Sequence, residues 1–253
     1  MKITLRLLPQ FKAQPSIIRR NPRQTRNFRA PGVFRCSHVP TFADQIAHGD
    51  NLTMHHLPPL PCYLNGEFTL LPDARISVMD RGFIFGDGVY EVVPVYAGHP
   101  FRLAQHMDRL VRSLTEMRLP NPLIPAQWQE LVFNLIARYA NFTGASPENT
   151  NQMVYIQITR GVAMRDHAMP ADIEPTVFAM SNRMVQPTAE QRARGVACVT
   201  ADDFRWQKAH IKSTSLLGAV FARQISVDAG ALETVMFRDG FLTEGSASSI
   251  FVI

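Results

Sequence analysis

The sequence predicts an α+β chain of two domains. Runs rich in β-branched and aromatic residues alternate with runs of helical spacing in mixed order, without the regular βαβ succession of a parallel sheet. A polar stretch at 182–188 interrupts that pattern and separates a first domain at 60–181 from a second at 189–253. Residues 1–53 stand apart by charge. They hold nine Lys or Arg and two Asp, with nothing acidic before Asp44, and no sustained periodicity. They are expected to be disordered.

The elements follow in chain order. Cys62–Leu70 reads as a hairpin, because Asn65-Gly66 lies between short apolar runs and suits a type I′ turn. Ile76–Phe85 and Gly88–Val95 read as strands, and Ala97-Gly98-His99-Pro100 supplies a turn. Leu103, Met107, Leu110, Leu114 and Met117 recur at helical spacing and stop before Pro120. Pro125 opens a second helix with Trp128, Val132, Leu135, Ile136 and Tyr139 on one face. Strands are expected at Val154–Thr159, Thr176–Met180 and Gly195–Thr200. A helix is expected at Leu216–Val227, capped by Ser213, Thr214 or Ser215. Leu232–Arg238, the turn Asp239-Gly240 and the residues from Phe241 form a hairpin, and Ser249–Ile253 begins another strand.

Composition excludes several classes of function. The 46% hydrophobic and 19% charged content is that of an ordinary globular chain, and no apolar run approaches the roughly 18 to 20 residues of a membrane helix. Cys36, Cys62 and Cys198 are odd in number, far apart and without metal spacing, which argues for a reducing compartment and a cytoplasmic location. The net charge of +5 divides into +7 before residue 54 and −2 after it, so no whole-protein field recruits nucleic acid. Initiation at Met54, an organellar transit peptide and a basic nucleic-acid tail are alternative readings of the first segment.

Single polar residues carry little. There is no Rossmann or P-loop glycine pattern, and Phe85-Gly86-Asp87-Gly88 by itself means only a tight backbone. The combination is more specific. DRGFIFGDGVYEVVPVY at 80–96, HMDRL at 106–110, ITRGVAMRDH at 158–167, IKSTSLLGAV at 211–220 and LTEGSASSIF at 242–251 occur in order. Over about Cys62–Ile253 the chain resembles the class IV (fold type IV) aminotransferases, most closely the D-amino acid aminotransferases.

The resemblance implies pyridoxal 5′-phosphate as cofactor and Lys212 as the lysine that carries it and shuttles the proton between Cα and C4′. A lysine suits both tasks through its nucleophilic, environment-sensitive amine. Glu244 matches the carboxylate that pairs with the pyridine nitrogen, and Arg109 matches the arginine that binds the phosphate. Tyr90, Arg165 and His167 match the residues that trap the substrate α-carboxylate. Glu91 lies at a family position beside the active site; its simpler reading is a charged strand residue without a catalytic role. The implied reaction passes the amino group of a D-amino acid, D-alanine first, to a 2-oxo acid such as 2-oxoglutarate, in a homodimer.

Two departures from the family pattern stand out. Ser249 occupies a place where family members often have asparagine, and the sequence stops at Ile253 where the family continues. The second domain is therefore expected to be truncated, with weak cofactor retention. Within the same superfamily, a branched-chain aminotransferase or a 4-amino-4-deoxychorismate lyase is the rival reading, and the Arg165-x-His167 pair argues against both. An inactive fragment is the rival from another class.

Overall fold

The computed structural model of the protein describes residues 2–5, 57–205 and 210–252. Its strands are β1 (Lys2–Leu5), β2 (Pro61–Leu64), β3 (Glu67–Leu70), β4 (Gly88–Tyr96), β5 (His99–Pro100), β6 (Gln152–Thr159), β7 (Thr176–Arg183), β8 (Cys198–Asp202), β9 (Glu233–Arg238), β10 (Phe241–Gly245) and β11 (Ser249–Val252). Its helices are α1 (Arg81–Phe85), α2 (Leu103–Glu116), α3 (Pro125–Thr143), α4 (Ala189–Arg194) and α5 (Leu217–Asp228).

Six strands form an antiparallel sheet in the order β3-β2-β7-β6-β4-β5. Helices α2 and α3 cover it. Alternation places Val89, Val93 and Val95 of β4 and Val154, Ile156 and Ile158 of β6 in the core, against Leu110 and Leu114 of α2 and Trp128, Val132 and Leu135 of α3. Burying each such side chain contributes about 1.5 to 3 kcal/mol. Trp128 keeps its indole N–H satisfied on Asn121 Oδ1 at 2.9 Å. A second sheet, β10-β9-β8, pairs β8 and β9 in parallel and β9 and β10 antiparallel. This mixture of sheets and helices is the expected α+β class.

Several turns behave as their residues dictate. Asn65 and Gly66 both take positive φ, 48° and 102°, as a type I′ turn requires. Pro125 opens α3, and Gly144 closes it in the left-handed conformation.

Three expectations are corrected. Ile76–Phe85 is not a strand: its last five residues form α1, because Asp80 caps the Gly82 N–H at 2.7 Å and Gly86 ends the turn at φ 64°. Asp80 is buried, and its other oxygen accepts a hydrogen bond from the Thr176 hydroxyl at 2.6 Å, tying α1 to β7. None of Ser213, Thr214 and Ser215 caps α5; the N-cap is Leu216, without a side-chain bond. Within the basic first segment expected to be disordered, Lys2–Leu5 forms β1 and pairs in parallel with β11, and 6–53 lie outside the described residues. β7 ends at Arg183 and α4 begins at Ala189, so the polar stretch beyond Arg183 lies between these two elements.

Asp203, just past β8, anchors the second sheet. Its carboxylate accepts the Arg205 Nε–H at 3.1 Å and lies 3.3 Å from Arg238 Nη2. Burial raises the Asp203 carboxyl, but the hydrogen bonds from Arg205 outweigh that and bring it from 3.8 to about 2. A carboxyl depressed in the folded state stabilises above its unfolded value and loses that contribution as pH falls through the folded value. Roughly 2 kcal/mol should therefore disappear between about pH 4 and pH 2. Denaturant titrations across that range should show it, with a shallower fall for Asp203→Asn. An equal fall in the variant removes Asp203 as the cause.

Candidate active site

Glu244 apart, the nominated residues fall into three groups, each tied to the segment from α1 into β4. The first is the lysine segment. Its backbone lies along the start of β4, where the Tyr90 N–H donates to the Lys212 carbonyl at 3.0 Å and the Thr214 N–H to the Gly88 carbonyl at 3.0 Å. Ser213 forms a bridge with Val89. The hydroxyls of Thr214 and Ser215 both donate to the Gly86 carbonyl at 3.0 Å, which is why they are not spent on capping α5. Two glycines make this approach possible. A Cβ on Gly86 would meet Ser215 Oγ at 2.7 Å, and one on Gly88 would meet Thr214 Oγ1 at 3.2 Å. The backbone so held places Lys212 Nζ 4.0 Å from the centroid of the Tyr90 ring. Among the described residues no carboxylate pairs with that amine.

The second group surrounds Glu91. Sequence reasoning treats it as an ordinary strand residue, but it is fully buried with its carboxylate saturated. Arg109 grips it bidentately, Nε at 2.5 Å and Nη2 at 2.6 Å, and His106 Nδ1 lies 2.9 Å away. Both partners project from α2 at i, i+3 spacing. Burial pushes the Glu91 carboxyl up, and the hydrogen bonds from Arg109 and His106 more than reverse this, leaving it below its usual range. Arg109 is raised in turn, first by its bond to Glu91. Its side chain remains 42% exposed. One edge of the guanidinium is thus fixed in the protein, with Nη1 left for an anion. The signal for Glu91 was its acidic place among the inward valines of β4.

Glu244 lies half-buried on β10, where one carboxylate oxygen accepts the Gly245 N–H at 3.2 Å. No cation pairs with it among the described residues. On the paired strand β9 stands Glu233, which sequence reasoning missed. Glu233 is buried, and its carboxylate collects the backbone N–H groups of Thr234 at 2.7 Å, Ser246 at 2.9 Å and Ala247 at 3.3 Å, together with the Ser246 hydroxyl. Burial raises this carboxyl, and the hydrogen bonds led by Ser246 and Ser248 bring it below the usual range. The loop at 245–248 is wrapped around this one buried anion. Gly245 permits the wrap, since a Cβ there would meet the Ser248 carbonyl oxygen at 2.4 Å.

The third group is Arg165 and His167. Both are exposed, and both lie against Phe85, with the Arg165 guanidinium carbon 5.4 Å and the His167 ring 5.4 Å from the Phe85 centroid. The structure thus brings Arg165 and His167 to one ring, that of Phe85, and Lys212 to Tyr90. Among the described residues, no hydrogen bond or ion pair joins Arg165 or His167 to Lys212, or Glu244 to Lys212. No described helix is long and apolar enough to cross a membrane, and no described cluster of His, Cys, Asp and Glu could hold a metal ion.

A family model described as amino-transferase class IV matches residues 88–253. The D-alanine aminotransferase of Staphylococcus aureus (strain N315) is 38% identical over 192 residues, covering 76% of this chain and 65% of that protein. Among solved structures, the fold IV-transaminase CpuTA1 from Curtobacterium pusillum matches with a TM-score of 0.58 at 25% identity, over 71% of this chain and 60% of that one. The branched-chain amino acid aminotransferase of Escherichia coli gives a TM-score of 0.61 at 20% identity, over 75% of this chain and 63% of that one, a likeness of fold alone. This chain therefore spans less than two thirds of the length of these relatives.

Proposed function

This chain belongs to the class IV aminotransferases, and on that premise we propose that it passes the amino group of a D-amino acid, D-alanine first, to a 2-oxo acid such as 2-oxoglutarate. The cofactor in this proposal is pyridoxal 5′-phosphate, carried by Lys212. The observation that carries the reading is the Lys212 amine, held against Tyr90 by backbone bonds at the Lys212 carbonyl and the Thr214 N–H and left without a carboxylate partner among the described residues.

The donor set fits that cofactor. An unpaired amine, a half-buried carboxylate without a cation and a guanidinium fixed along one edge match an aldehyde, a protonated ring nitrogen and a phosphate. When bound, the cofactor supplies a protonated ring that accepts the electron pair left at the substrate Cα. Glu244 holds the proton on the ring nitrogen, and the Glu233-centred loop keeps Glu244 in place. Arg109 binds the phosphate, its orientation set by Glu91 and His106. Lys212 takes the proton from the substrate Cα as general base. Arg165 binds the α-carboxylate bidentately, and Tyr90 and His167 add directional hydrogen bonds. The proposal assigns cofactor binding to 189–253, joined through 182–188 to the domain at 60–181. It extends to a homodimer in the cytoplasm.

The test uses the full chain loaded with pyridoxal 5′-phosphate and compares D-alanine with L-leucine as donor to 2-oxoglutarate. D-alanine should be favoured by at least about tenfold in kcat/KM, the scale of discrimination expected from a few directed contacts. A preference for L-leucine replaces the D-specific reading with the branched-chain one.

A further inference from the structure

Arg165 and His167 lie on an exposed segment, where a carboxylate-binding pair would ordinarily lose orientation to side-chain and loop motion. The structure holds this segment at three points. Both side chains rest on the Phe85 ring, and the carbonyl of the intervening Asp166 accepts a hydrogen bond from Arg81 Nη1 at 2.6 Å. Arg81 itself packs on the same ring, its guanidinium carbon 4.8 Å from the centroid.

Two guanidinium groups on one ring repel each other unless one is neutralised. Asp87 offsets the Arg81 charge in part: its carboxylate, shared by both arginines, lies 2.8 Å from Arg81 Nε and 2.8 Å from Arg160 Nε. Arg160, almost wholly buried, spends its remaining donors on the Met117 and Arg118 carbonyls. Burial raises the Asp87 carboxyl, but the hydrogen bonds from Arg160 and Arg81 prevail and hold it below its usual range. Arg81 is therefore held in a buried network in which two guanidinium groups share one carboxylate, and Arg165 is the cation on the ring that is open to solvent. Backbone bonds continue the seam, with the Arg81 N–H on the Gly161 carbonyl at 2.8 Å and the Ala163 N–H on the Met79 carbonyl at 3.3 Å.

We propose that Phe85 and Arg81 are positioning residues for substrate-carboxylate recognition: Phe85 is the platform that orders the Arg165 and His167 side chains, and Arg81 pins the backbone between them. This deepens the proposed function and rests on its assignment of Arg165 and His167 to the substrate carboxylate. The aromatic face attracts a guanidinium, and a pre-ordered pair binds with less loss of freedom than one that must be gathered by the ligand. The same α1 turn that supports the lysine segment through Gly86 thus supports the carboxylate-binding pair through its side chains.

The experiment compares Phe85→Leu, Phe85→Met and Phe85→Tyr with Arg165→Met, each as the full chain loaded with pyridoxal 5′-phosphate. Phe85→Met keeps the bulk should Phe85→Leu fail to fold. In the Leu and Met variants, KM for D-alanine and the inhibition constant for acetate should each rise about five- to tenfold, with kcat within about twofold. Amide exchange over 162–168 should accelerate in both, and Phe85→Tyr should restore all three readouts. If Arg165→Met raises KM but folded Phe85→Leu and Phe85→Met do not, the platform is wrong and the functional reading stands. Losing kcat and cofactor retention together, with KM unmoved, marks Phe85 as a structural residue and overturns the proposal. An unchanged KM in Arg165→Met removes the functional reading, and the platform falls with it.

Discussion

Lys212→Ala should abolish covalent attachment of pyridoxal 5′-phosphate and lower transamination by several orders of magnitude, because the nucleophile and the base at the substrate Cα vanish together. The loss should be confined to chemistry. Lys212 joins the fold through its carbonyl, which accepts the Tyr90 N–H, and alanine keeps that bond. The ring of Tyr90 loses one neighbour, a change worth about 0.5 to 1 kcal/mol at a partly exposed site. Borohydride treatment followed by mass spectrometry gives the readout, with thermal unfolding of the same samples as the control. A cofactor adduct that still forms on the alanine variant would place the attachment on another residue.

Arg165→Met should weaken D-alanine binding by about 1.5 to 3 kcal/mol, the worth of a hydrogen bond to a charged group. Since about 1.4 kcal/mol is a factor of ten, this corresponds to a rise of roughly 10- to 150-fold in the substrate dissociation constant. Stability should be preserved, because the Arg165 side chain is exposed and its described contact is with Phe85. The absorbance of the bound cofactor should also match the parent, which separates this variant from Lys212→Ala. Unchanged kinetic constants for D-alanine would take Arg165 out of the site and remove the main support for a D-amino acid substrate.

Much of the fold was legible in local signals. The hairpin at Asn65-Gly66, the helix opened by Pro125 and the hairpin at Asp239-Gly240 need no long-range information. Their turn residues take positive φ or a fixed φ whatever surrounds them. Periodicity failed at Ile76–Phe85, where an apolar run is compatible with strand or helix. The decision rests on Asp80, which both caps α1 and bonds to Thr176 across the fold.

The site divides along the same line. The sequence by itself determined the family, and with it the nomination of Lys212, Glu244, Arg109, Tyr90, Arg165 and His167, since five segments in fixed order are a property of the chain alone. Only the tertiary structure decided what supports them. Glu91 and Glu233 look like ordinary acidic strand residues until burial removes their water, and then each must be paid for by partners from distant segments: Arg109 and His106 for one, the 246–248 loop for the other. Arg81, Phe85 and Asp87 form a support for Arg165 and His167 only because β6 returns beside β4 and brings 160–167 onto α1. Such contacts join positions about 80 residues apart, and a periodicity or motif read along the chain carries no information about which distant carbonyl a guanidinium will meet.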